Sequence, residues 1–196
     1  MTDLERALAD IAEVRERLGS VQRFKGYSGL AAMISGALAI ATGIVQLLVL
    51  PHVRSAHDAH LYFALWFACC GAAMMLNYSA IAHWYVNDAT ARERWQTASV
   101  GFSILPAIVV GGALSFALLR ENVPALLPGV WCACYGTGLF ASRGTLPQPA
   151  VWIAAAFAAC GIALLFAPAG IALSWWVLAV VFGVGQIAIG AAVVRV

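Results

Sequence analysis

Gly29-Leu-Ala-Ala-Met-Ile-Ser-Gly-Ala-Leu-Ala-Ile-Ala-Thr-Gly-Ile-Val-Gln-Leu-Leu-Val-Leu50 contains no Lys, Arg, Asp or Glu. About 20 such residues, wound as a helix, cross the ~30 Å hydrocarbon core of a bilayer. The run is apolar on every side. It therefore reads neither as a surface helix with one wet face nor as the alternating strand of a membrane barrel. Five further runs over 60–84, 100–119, 124–142, 150–167 and 170–194 are equally free of charge. The 196 residues are 63% hydrophobic and only 10% charged, with a mean hydropathy of +0.88, more apolar than a water-soluble core requires. The expected fold class is all-α: a polytopic membrane protein of about six transmembrane helices over 27–196, preceded by a short cytoplasmic amphipathic helix over 1–26.

Helix breakers fall between the runs, at Pro51, Pro124, Pro147, Pro149 and Pro168. Pro106 is the exception and predicts a kink in the third helix, because its ring removes a backbone donor and clashes with the preceding turn. Segment 1–26 is charged and the first apolar run is long enough to stay as an anchor, so no cleaved leader is expected. Basic residues orient the chain: with the N-terminus inside, Arg6, Arg15, Arg17, Arg23, Lys25, Arg92, Arg94, Arg143 and Arg195 are cytoplasmic, and only Arg54 and Arg120 face out. Both termini are thus expected on the cytoplasmic side of the membrane. Aromatic residues at the interfaces agree: Phe24, Tyr27, Trp84, Tyr85 and Trp95 inside, Tyr62, Trp175 and Trp176 outside. The net charge of +2 is too small to suggest nucleic acid as a partner.

In 1–26, Leu4, Ala7, Ile11, Val14, Leu18 and Val21 recur at spacings of three and four, with Arg6–Asp10 and Glu13–Arg17 as i,i+4 pairs. Three heptads are short for a coiled coil, which favours an amphipathic helix on the membrane surface or a cytoplasmic loop over self-association.

Arg23-Phe24, Ser28-Gly29-Leu30, Trp95, Pro106 with Gly111-Gly112, Tyr135-Gly136-x-x-Leu139-x-Ala141-Ser142-Arg143 and Phe182-Gly183-Val184-Gly185-Gln186-Ile187-Ala188-Ile189-Gly190 together resemble a family of uncharacterised bacterial six-helix integral membrane proteins. The resemblance runs from about Arg15 to the C-terminus. It implies a six-helix fold and no particular chemistry. Two departures stand out: Gln186 occupies a position where relatives tend to carry His, and the stretch 87–95 is less basic.

Candidate sites are sparse. Ionisable residues within a bilayer mark ion and proton pathways, and the runs hold none beyond His60 and His83 at their ends. His83, beside Trp84 and Tyr85, reads as an anchor. No catalytic residue is expected, since neither a Ser/His pair nor a carboxylate dyad occurs within the runs. Between the first two runs, His52, His57 and His60 with Asp58 form the best metal-binding set, weak because short wet loops often carry such residues. Cys69, Cys70, Cys132, Cys134 and Cys160 lie inside runs at spacings unlike zinc or redox motifs and read as packing groups.

Asn77, Tyr78, Tyr135, Thr137 and Gln186 are the candidate ligand-binding residues, and Thr42, Gln46, Ser79 and Ser103 further interhelical hydrogen-bonders. Small residues at spacing four, Ser28-Ala32-Gly36, Ser35-Ala39-Gly43 and Ala155-Ala159-Ala163, allow close helix packing, by default within the chain, with a homo-oligomer as the other use. The expectation is a non-enzymatic helical module, without cofactor, that binds membrane lipid, an apolar ligand or a protein partner. The alternative is a transporter or channel for a small neutral solute, although no internal repeat supports one beyond a loose Gly-Ile-x-x-Leu likeness at 43–47 and 161–165.

Overall fold

The computed structural model describes residues 28–144 and 148–194. The amphipathic helix expected over 1–26 lies outside the described residues, as does Arg195. Among the described residues every regular element is helical. Helix α1 is Gly29–Val49, opened by Ser28, whose hydroxyl accepts the Ala31 N–H at 3.2 Å. Helices α2 (Ala56–Asn87) and α3 (Ala91–Arg120) each begin with a reciprocal cap, Ser55 with Asp58 and Thr90 with Glu93. Helix α4 (Leu127–Ala141) follows a single 3-10 turn at Pro124–Leu126, and α5 is Gln148–Leu165. A one-turn α6 (Ala169–Ala172) leads to α7, Trp175–Val194, whose segment Ala179–Val184 is wound as a π-helix.

Among the described residues five helices are long and apolar enough to cross a membrane: Gly29–Val49, Ala56–Asn87, Gly101–Arg120, Gln148–Leu165 and Trp175–Val194. The fourth apolar run yields only the 15 residues of α4, about 22 Å of helix. Helix α3 continues through Pro106. It ends where Val123 N–H donates to Leu118 O at 2.9 Å and Asn122 N–H to Leu119 O at 3.1 Å, with Asn122 in the left-handed region at φ 56°. This is the αL stop usually made with glycine. Asn122→Gly is expected to be neutral or to stabilise by up to about 1 kcal/mol, and Asn122→Val to cost about 1–2 kcal/mol. Denaturant titration in one detergent compares the two.

Contacts at glycines fix the directions of the helices. A Cβ at Gly29 would lie 2.6 Å from Gly190 O, and one at Gly36 would lie 2.6 Å from Gly183 O. A Cβ at Gly43 would lie 2.6 Å from the Ala179 Cβ. Positions seven apart on α1 thus meet α7 in reverse order, so the two helices are antiparallel and their backbones approach closely. Helices α4 and α5 do the same, with Gly129 against Leu165, Gly161 against Ala133 and Gly136 against Ala158. Gly111 against Cys134 and Gly138 against Ala107 make α3 antiparallel to α4 as well. Neighbours follow in the order α2, α1, α7, α5, α4, α3. Helices α2 and α3 meet through aromatic rings, Phe63 and Phe67 against Phe116 at 5.7 and 6.4 Å.

The small-residue expectation divides here. The α1 glycines pack within the chain, but Ala155, Ala159 and Ala163 are half-buried or exposed. Helix α5 instead buries Ala150, Ala154, Phe157 and Gly161. The spacing-four rule marks several stripes on an alanine-rich helix and cannot choose between them; the aromatic Phe157 and the α4 glycines do.

Candidate functional site

Three groups of residues could carry function. The first is the loop between α1 and α2 with the turn that opens α2. The Asp58 carboxylate accepts the backbone N–H groups of Arg54 (3.0 Å) and Ser55 (2.9 Å), and its own N–H donates to the Ser55 hydroxyl at 3.1 Å. These bonds stabilise the anion and hold the Asp58 carboxyl below the ordinary carboxylate range. Asp58 is thus engaged in the cap. The His60 ring puts Nδ1 2.7 Å from the Ala56 carbonyl, to which its N–H donates. Among the described residues no three His, Cys, Asp or Glu side chains gather as a metal would need, so His52, His57 and His60 do not form the set that their spacing allowed.

The second group is the expected ligand pocket, which the structure assembles only in part. The Gln186 side-chain amide donates to the Tyr135 hydroxyl across α7 and α4, and Phe157 and Phe182 wall this pair, with ring centroids 5.0 and 5.4 Å from Tyr135. Asn77 lies elsewhere, donating to Ser35 Oγ at 2.8 Å, whose hydroxyl donates to Ala31 O at 2.8 Å. Tyr78 is exposed, and the Thr137 hydroxyl turns back onto Ala133 O at 2.8 Å. Apart from the Tyr135–Gln186 pair the candidates lie on different faces, because hydrophobic runs do not announce which face of a helix will be covered.

The third group, between α1, α2, α4 and the α6 turn, is the most deeply buried. Gln46 is 0% exposed. It accepts the Trp66 indole N–H at 2.8 Å and donates to Leu173 O at 2.9 Å. One glutamine thereby ties α1 to α2 and to the chain entering α7. Tyr62, also 0% exposed, stacks on Trp131 with centroids 6.4 Å apart and planes 4° from parallel. The Trp131 N–H donates to Ser115 Oγ at 2.7 Å, joining α4 to α3. Tyr62, an expected outer-interface aromatic, is covered by protein because its partner tryptophan sits on α4. Trp66 and Trp131 went unmarked in the sequence. Their position inside apolar runs is the available signal, because a buried indole N–H requires an acceptor.

The Tyr62 hydroxyl has no hydrogen-bond partner among the described residues. A buried unpaired hydroxyl costs about 1–3 kcal/mol, so Tyr62→Phe is expected to raise stability by about 1 kcal/mol or more. Denaturant titration monitored by tryptophan fluorescence measures it, and a loss of stability would contradict the packing described.

No protein family model, curated protein or solved structure matches the chain.

Proposed function

We propose that the chain is a six-span bacterial inner-membrane protein with both termini cytoplasmic, acting as a non-enzymatic helical module that holds a lipid, an apolar ligand or a protein partner. The six-span count is supported by α4, which runs antiparallel to both α3 and α5 and so turns back through the layer they cross. A common side for the two ends is supported by the contact of Gly29 with Gly190 and Val194, and its cytoplasmic assignment by the basic residues.

The observation that carries the module reading is the contrast between core and flank. The interior polar groups Gln46, Ser35, Ser115 and Trp131 are uncharged and bonded to one another or to backbone. Helices α2 and α3, in contrast, leave most of their apolar surface uncovered, with Met75 76% and Phe102 75% exposed. Solute passage has less support, since Tyr135 and Gln186 bond to each other and Tyr78 and Thr137 face away. Purification in mild detergent, followed by mass measurement and lipid identification, tests the module. A bound lipid, partner or second copy is the expected result; a bare monomer overturns it. Solute flux in proteoliposomes above that of empty vesicles would favour transport instead.

A further inference from the structure

The last turn of α1 and the first turns of α2 leave an open crevice of about 330 Å³ lined by Val49, Leu50, Leu61, Ala64 and Leu65. This lies at the small end of the ~300–1,000 Å³ of ligand sites, and every lining side chain is apolar. Val49 is 69% and Leu61 47% exposed. The chain joining the two sides of the crevice carries the exposed Arg54, with exposed His52 and His57 nearby. The acidic residue of this stretch, Asp58, is held by the backbone N–H groups of Arg54 and Ser55. Among the described residues no carboxylate pairs with the Arg54 guanidinium. The loop that joins the two walls of the apolar crevice therefore carries an unneutralised cation.

We propose that this crevice and Arg54 bind one anionic phospholipid, an acyl chain lying against Val49, Leu61 and Leu65 and the headgroup phosphate at Arg54. The proposal rests on the module reading and names its ligand. Lipid tails are as apolar as leucine, so the crevice alone gives no preference over bulk lipid. Selectivity comes from the arginine, which at a membrane surface favours an anionic headgroup by about fivefold.

The full chain, purified in detergent with equal amounts of phosphatidylglycerol and phosphatidylcholine, is examined by native mass spectrometry. The wild type is expected to retain phosphatidylglycerol about fivefold over phosphatidylcholine. Arg54→Lys should keep that preference and Arg54→Gln should bring it near parity. Ala64→Trp, which fills the crevice, should remove one bound lipid of either kind. Arg54 is exposed, so the Lys and Gln pair decides the matter even where Ala64→Trp fails to assemble. An undiminished preference in Arg54→Gln overturns the proposal. Lipid retained by the wild type but insensitive to these variants removes this site and leaves the module reading standing, whereas a wild type without lipid, partner or second copy removes both.

Discussion

Gly161→Val is expected to destabilise the bundle by about 3 kcal/mol or more, at the upper end of overpacking effects. A Cβ at Gly161 would lie 2.7 Å from the Ala133 Cα and 2.8 Å from its Cβ, and closer still to its amide nitrogen. Backbone cannot swing aside as a side chain can, so the α4 and α5 helices must separate along their contact. Gly136→Val meets the same obstacle, with Ala154 O 2.9 Å away and the Ala158 amide nearer. The double variant should cost less than the sum, because the first substitution already opens the seam. Gly71→Ala and Gly112→Ala are the controls: nothing lies within 4 Å of a Cβ at either position, and alanine has the better helix propensity. Reversible unfolding in mixed micelles, followed through the seven tryptophans, measures all five. A loss below about 1 kcal/mol at Gly161 would contradict the contact.

Gln46→Leu is expected to cost about 2–3 kcal/mol. An interhelical hydrogen bond within a membrane protein averages only about 0.6 kcal/mol in double-mutant cycles, because the unfolded chain finds other partners. Gln46 differs in serving two groups at once. Leucine would leave the Trp66 N–H and the Leu173 carbonyl without partners in a fully buried place, and each orphan costs about 1–3 kcal/mol. Trp66→Phe removes one orphan, so Gln46→Leu with Trp66→Phe should lose less than the two single changes combined. Strict additivity in that cycle would remove the bond from consideration.

The helical class and most boundaries were legible. The run at 29–50 became Gly29–Val49, that at 150–167 became Gln148–Leu165, and the charged first turns of α3 fall ahead of its apolar segment Gly101–Arg120. The caps at Ser55 and Thr90 extend α2 and α3 past their apolar runs, since a capping box starts a helix wherever its two residues stand. The candidate site was legible only in the Tyr135–Gln186 pair. Asn77 found Ser35 on α1 instead, and the buried centre at Gln46, Tyr62, Trp66 and Trp131 depended on three helices, α1, α2 and α4, meeting in space.

That the chain is helical, and where its uncharged runs begin and end, follows from local stretches of residues alone. Satisfying backbone hydrogen bonds away from water is a local matter of some twenty consecutive residues. Which faces meet depends on packing between distant segments. When every side of a helix is apolar, hydrophobicity no longer distinguishes inside from outside, and the choice passes to shape. Glycines over a hundred residues apart, Gly36 and Gly183 among them, fit together only once both helices are in place.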